Sequence, residues 1–211
     1  MTTTILLVRH GRTAWNKEER FRGLTDLPLD EEGLRQAELV GQYIARQRPV
    51  AAIYASPLQR TLQTAQPLAR LLGIAAQPNI GLRDLDYGDF AGLAPSEAEA
   101  RFPALYGMWV TAPHLVSFPR GESLWHVQAR SMDLIGQIVQ QHADQTVALV
   151  THLAVCRVIL CSLLDLHLSH FWRFNVEPGS VTAFQYRDGI FTMLAANDTG
   201  HLNRTPWAGA S

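Results

Sequence analysis

Arg9, His10 and Gly11 follow directly on an apolar run, Ile5 to Val8. Histidine can do acid–base or nucleophilic work near neutral pH. An arginine beside it offers a planar fork of donors that matches phosphate oxygens. The pattern recurs along the chain. Thr151 and His152 end a second apolar run, 147–150, and a helical pattern begins just beyond it. A helix start presents unpaired N–H groups and the positive end of the dipole, which suits an anion. Arg60 stands on the first turn of a helix after a third run, in Ser56-Pro57-Leu58-Gln59-Arg60-Thr61. Asp84 and Asp86 follow a fourth, in Leu82-Arg83-Asp84-Leu85-Asp86-Tyr87-Gly88, and supply the nearby carboxylates. Each residue alone has a plainer reading as a loop histidine, a solvated helix arginine or a turn aspartate. Together they sit at the ends of successive strands. That convergence points to one site in which Arg9 and Arg60 fork around a single phosphoryl group.

The elements that must position them alternate. Ile5 to Val8 reads as a buried central strand. The polar segment 11–28 is too long for a simple turn and reads as a functional loop. Asp30 suits a helix N-cap, with Glu31 and Glu32 at the positive end of the dipole. Leu34, Ala37, Val40, Gly41 and Ile44 continue at helical spacing up to Pro49. A strand over 51–55, a helix over 58–72 kinked or broken at Pro67, and a strand over 74–77 come next. From Asp84 to Arg120 glycine and proline interrupt every pattern. The stretch from about 90 to 120 reads as an insertion with short helices near 96–102 and 104–110. A helix over 122–142, a strand over 147–150 and a helix over 155–166 follow. A hairpin then turns on Arg187-Asp188-Gly189. No pattern covers the tail from about 198 to 211, so a frayed terminus is expected. The expected fold class is α/β: one domain, residues 1–211, three layers, a mostly parallel sheet of strands and a small helical insertion over the carboxyl edge. Ligands of such sheets bind beyond the carboxyl ends of the strands.

Composition narrows the partners. The 211 residues carry 18 Lys plus Arg and 19 Asp plus Glu, a net charge of −1. A nucleic-acid-binding surface or polybasic membrane anchor is therefore not expected. No apolar run approaches the ~18 residues of a membrane span. The two cysteines, Cys156 and Cys161, cannot frame a disulfide scaffold and read as buried thiols. A reduced, cytoplasmic protein is expected. No GxxxxGK[ST] or HExxH occurs, which argues against a P-loop NTPase and a zinc hydrolase.

Arg9-His10-Gly11, Ser56-Pro57-Leu58-Gln59-Arg60-Thr61-Leu62-Gln63-Thr64-Ala65 and Val150-Thr151-His152 resemble the histidine phosphatase superfamily, the phosphoglycerate mutase-like fold. Gly23-Leu24-Thr25-Asp26-Leu27-Pro28-Leu29, Gly33, Gln36-Ala37, Gly121-Glu122-Ser123 and Asn197-Asp198-Thr199-Gly200-His201-Leu202 match in the family's order. The resemblance implies six strands and a phosphohistidine mechanism without cofactor or metal. His10 would be the nucleophile. Arg9, Arg60, His152 and Asn16 would bind the phosphoryl group. Asp84 would be the proton donor, where the family usually has Glu.

Three departures stand out. Asp84 is one methylene shorter than Glu, and Asp86 two residues on is the alternative acid. Leu153 follows His152 where Gly is frequent. Arg22 replaces a polar Gln or Cys, so it either adds a cation for a substrate carboxylate or second phosphate, or is a solvated loop residue. Gly23, Tyr87, Trp109 and Leu153 are further candidates for substrate contact. Phe102, Tyr106, Met108, Trp109 and Phe118 of the insertion line the leaving-group pocket or form a satellite core. His201 and Trp207 of the tail either fold over the site or fray. Trp125, His126, His142, His167 and His170 have no partner pattern and read as structural or surface residues. Short length and the lack of a Glu-Arg-His-Tyr-Gly run favour a phosphatase over a mutase. Trp109 to His114, Gly121-Glu122-Ser123 and Phe171-Trp172 are similar to metal-independent phosphoserine phosphatases, which tend to carry His in place of Tyr87. Ribazole phosphate and sugar or glycerate phosphates stay open. A phosphoglycerate mutase is the runner-up, and a non-catalytic phosphoester-binding scaffold is the competing class. The expected partner is a small phosphomonoester, with a homodimer left open.

Overall fold

The computed structural model describes residues 2–18, 20–47 and 49–202. In chain order it holds β1 (Thr2–Arg9), α1 (Ala14–Lys17), α2 (Glu31–Gln47), β2 (Ala52–Ala55), α3 (Gln59–Leu72) and β3 (Ala76–Pro78). After these come α4 (Pro95–Arg101), α5 (Pro103–Thr111), α6 (Leu124–Gln141), β4 (Thr146–Thr151), α7 (Leu153–Leu163), β5 (Val181–Arg187) and β6 (Ile190–Asp198). The six strands form one sheet in the order β3-β2-β4-β1-β5-β6. The first four run parallel, while β5 pairs antiparallel with β1 and β6 with β5.

The two-residue strand period explains the three layers. On one face Leu6 and Val8 of β1, Ile53 of β2 and Ala148 and Val150 of β4 pack against Val40 and Ile44 of α2 and Leu68 of α3. On the other, Ile5, Leu7, Val147 and Leu149 meet Ile135 and Ile138 of α6 and Val155 and Ile159 of α7. Each fully buried aliphatic side chain contributes ~1.5–3 kcal/mol. β1 and β4 are covered on both faces, as their unbroken apolar runs require. Asp188 and Gly189 both have positive φ, the backbone that a two-residue hairpin demands.

The structure corrects several expectations. The polar segment 11–28 is not all loop, because α1 lies within it. Pro67 does not break α3, which is unbroken from Gln59 to Leu72. A Cβ on Gly41 would lie 2.9 Å from the Pro67 ring, so the close approach of α2 to α3 holds the proline in place. The third strand lies at Ala76–Pro78 on the sheet edge, where a proline is tolerated. α7 begins at Leu153, two residues earlier than its apolar spacing suggested. Asp198 ends β6, and Gly200–Leu202 forms a 3-10 turn whose Leu202 is buried. His201 stacks on Tyr43 of α2 and bonds the Gly179 carbonyl, so it does not fold over the site. Trp207 lies outside the described residues.

Candidate active site

His10 extends the β1–β4 ladder, its N–H donating to the Thr151 carbonyl at 2.9 Å. This fixes the residue where the parallel pairing of Arg9 with Thr151 ends. Its ring is fully buried. Nδ1 lies 2.6 Å from the Gly11 carbonyl, which can only accept, so Nδ1 carries the proton. Nε2 is left as a lone pair, buried and without a hydrogen-bond partner among the described residues. Gly11 is demanded by space: a Cβ there would lie 2.5 Å from the Gly33 carbonyl oxygen. The turn after β1 is thus pressed onto the start of α2.

His152 caps the N-terminus of α7 in extended conformation, with its ring centroid 5.2 Å from that of His10. Its Nδ1 accepts from Arg60 Nε at 3.1 Å. Nε2 therefore carries the proton and donates to Ser56 Oγ at 2.8 Å. Arg60, fully buried, also donates to the carbonyls of Thr25 and Gly23 and to Asp84 Oδ2, each at 2.8 to 3.1 Å. Asp84 Oδ1 accepts from the Leu85 N–H, and Oδ2 lies 3.6 Å from His152 Nδ1. Arg60, His152 and Asp84 form one interlocked unit beneath the carboxyl edge of the sheet.

Above it lies a cavity of about 430 Å³. Arg9, Asn16, Arg22 and Asp84 supply its polar floor; Tyr87, Tyr106, Trp109, Phe171 and Trp172 supply its walls. The chain matches the histidine phosphatase superfamily (branch 1) over residues 5–199. It is 33 % identical over 198 residues to phosphoserine phosphatase 1 of Hydrogenobacter thermophilus, covering 94 % of this chain and 93 % of that one. The fold is similar to that of YhfR from Bacillus stearothermophilus, with TM-score 0.90 and 33 % identity, covering 95 % of this chain and 99 % of the other. It is also similar to a variant of the Entamoeba histolytica phosphoserine phosphatase in complex with phosphoserine, with TM-score 0.85, 26 % identity and coverage of 95 % and 99 %.

The chain belongs to the histidine phosphatase superfamily.

In this histidine phosphatase the electrostatics follow from burial beside cations. Burial, then Arg60, Arg9 and Arg22, hold His10 well below its ordinary pKa, so its ring is neutral. Burial and Arg60 do the same to His152. Burial raises Asp84 above the usual carboxylate range, opposed by Arg60 and Arg22. A shift in that direction suits a group that protonates a leaving alkoxide. Burial and Arg22 pull Arg9 down; among the described residues its Nη1 donates to the Val176 carbonyl, at 2.5 Å, and its Nε has no partner. Arg22 donates to the Trp15 carbonyl, and its Nε likewise has no partner among the described residues.

The sequence candidates divide into three groups. Arg9, Asn16, Arg22, Asp84, Tyr87, Trp109 and Leu153 line the cavity. Asn16 accepts twice from Thr13 through Oδ1, which caps α1 and leaves Nδ2 as its donor. His10, Arg60 and His152 are buried and are not among the cavity's lining residues. Gly23 does not line the cavity; its carbonyl holds Arg60. Asp86 faces away, bracing Gly88 N–H and the Glu122 backbone. The insertion both lines the cavity and forms a small aromatic core. Tyr106 and Trp109 line the cavity, whereas Phe118 is buried among Tyr87, Phe90 and Trp109, and Phe102 stacks on Phe90. Met108 is exposed. His126 accepts from the Ser123 N–H at the start of α6, a structural task.

Sequence reading missed Ser56, Arg20 and Arg157. Ser56 orients His152. Arg20 lines the cavity, neutralised by Glu18 and Glu97. Arg157 lies one turn beyond Leu153 on α7, and that four-residue spacing was the signal available.

Proposed function

We propose that the protein is a metal-independent phosphomonoesterase that hydrolyses a small phosphorylated metabolite through a phosphohistidine on His10. The observation that carries this is the His10 ring: neutral, pinned through Nδ1, with an Nε2 that has no partner among the described residues, and under the influence of Arg9 and Arg22, which line the cavity. Nε2 attacks phosphorus, and the bond from phosphorus to the ester oxygen breaks. Asp84 gives its proton to the departing alkoxide. Water then attacks the phosphohistidine, Asp84 takes the proton back, and phosphate leaves as His10 is restored. Charge in this loose transition state spreads over three oxygens, so positioning and electrostatics supply most of the catalysis. Arg9, Arg22 and the Asn16 Nδ2 face those oxygens. The first N–H groups of α7, at Leu153 and Ala154, add donors, and a leucine at Leu153 leaves them in place. Arg60 and His152 shift hydrogen bonds from protein to phosphoryl oxygen as the group seats, an adjustment that unliganded sites commonly make.

Similarity to two phosphoserine phosphatases favours phosphoserine among the candidate esters. The test is turnover of p-nitrophenyl phosphate and phosphoserine by wild type and His10→Ala, with acid-sensitive phosphoprotein trapped by rapid quench. His10→Ala should abolish both turnover and trapping. Retained turnover overturns the mechanism. Faster phosphoryl exchange between phosphoglycerates than hydrolysis would favour the mutase, and no turnover of any ester the scaffold.

A further inference from the structure

Arg157 projects from α7 into the outer part of the cavity. Its Nε donates to the Phe174 carbonyl at 2.9 Å. Its guanidinium carbon lies over two aromatic faces, 4.8 Å from the Trp172 centroid and 5.4 Å from that of Phe171. Such faces favour a cation while excluding water from one side of it. No carboxylate pairs with Arg157 among the described residues, and neither Nη has a protein acceptor there. Arg20, the other outer arginine, is paired with Glu18 and Glu97. Arg157 is therefore an oriented cation, without a carboxylate partner among the described residues, held against the aromatic rings of the cavity.

We propose that Arg157 binds a carboxylate on the alcohol portion of the substrate, so that the enzyme selects small phosphomonoesters carrying an acid group. The proposal rests on the phosphoesterase reading above. Spacing sets the size. Leu153 and Arg157 share one face of α7, one helical turn or ~6 Å apart along the axis. The phosphoryl group sits at the start of that turn and the carboxylate at its end, a separation that a two- or three-carbon alcohol spans. Arg22, which has no carboxylate partner among the described residues, has a different task. Arg22 acts on Arg9, His10, Arg60, Asp84 and His152, which places it against the phosphoryl floor. Arg157 instead has Tyr87 and Cys156 as its charge partners and touches that set through Arg9. Arg9, Arg22 and Arg60 serve the phosphoryl group, and Arg157 serves the acid.

The experiment compares esters that differ only in the carboxylate: O-phosphoserine against phosphoethanolamine, and 3-phosphoglycerate against glycerol 3-phosphate. A charged hydrogen-bonded contact is worth about 10- to 100-fold. Wild type should favour the acid member of at least one pair by that ratio in kcat/KM. Arg157→Gln should bring the ratio close to one, and Arg157→Lys should retain part of it, because the charge stays but the planar fork is lost. Thermal melts check that each variant folds. Calorimetry on His10→Ala protein, with and without Arg157→Gln, measures the same ratio as affinity without turnover. Active enzyme that does not discriminate within either pair, or an Arg157→Gln loss equal for both members, overturns the subsite and leaves hydrolysis standing. Inactive protein that still binds the acid member more tightly through Arg157 overturns hydrolysis and leaves the subsite.

Discussion

Replacing Asp84 by asparagine keeps the shape of the side chain and removes its capacity to hold a transferable proton. One oxygen can still accept from the Leu85 N–H, as Oδ1 does at 2.9 Å. The other position then holds an amide facing Arg60, whose contact with Asp84 Oδ2 is lost. Stripping a carboxylate from a buried ion pair can cost ~3–5 kcal/mol. Arg60 keeps the carbonyls of Gly23 and Thr25 and the His152 nitrogen, so ~1–3 kcal/mol is the better figure here. In a chain of this length each kcal/mol lowers the melting temperature by ~2–4 °C, so the variant should remain folded. The effect on rate is larger and depends on the ester. General acid catalysis supplies ~10²–10⁴-fold when the leaving group is a strongly basic alkoxide. Phosphoserine turnover should fall by that factor. Nitrophenolate leaves as a stable anion without a proton, so phosphorylation of His10 by p-nitrophenyl phosphate should be nearly unimpaired. Water attack then lacks its base, and phosphohistidine accumulates. Stopped-flow absorbance should show a burst of nitrophenolate approaching one per active site, followed by slow turnover. Equal losses on both esters with no burst would refute the assignment of Asp84. The same pattern in Asp86→Asn would move the acid two residues along the chain.

Gly11→Ala places a methyl 2.5 Å from the Gly33 carbonyl oxygen. It should destabilise by ~1–3 kcal/mol and lower kcat by displacing the carbonyl that fixes the His10 tautomer; an unchanged melting temperature and kcat would contradict this. Because burial and arginines depress His10, its ring stays neutral as pH falls below about 6.5. With p-nitrophenyl phosphate, kcat should therefore hold below that pH, whereas an acid limb centred on it would argue against a buried nucleophile. The raised Asp84 loses its proton as pH rises, so the rate ratio of alkyl to nitrophenyl ester should fall in that direction. Chelator should leave turnover unaltered, since arginines supply the positive charge at the floor. Inhibition reversed by a divalent ion would count against that.

Much of the architecture was legible because it rests on short-range pattern. Apolar runs ending in Arg9-His10 and Thr151-His152 announce buried parallel strands, and their ends share one edge by topology. The tail and the start of α7 were less legible, because their ends are decided by partners distant in sequence. Leu202 is buried only because α2 and Gly179 lie beside it. The chemical types of the proposed mechanism followed from residue identity: a histidine for phosphorus, arginines for its oxygens, an aspartate for the proton. Which arginine faces the ligand did not. Arg9, Arg22, Arg60 and Arg157 are equivalent as letters, yet Arg60 is buried and bonded to His152, Gly23 and Asp84 while Arg157 lies against two aromatic rings. Sequence by itself determined that the chemical groups sit at strand ends and which groups are available. Only the tertiary structure decided which groups remain unsatisfied. A donor is free or used according to what the rest of the chain brings within 3 Å of it, and that depends on packing between segments that spacing along the chain does not record.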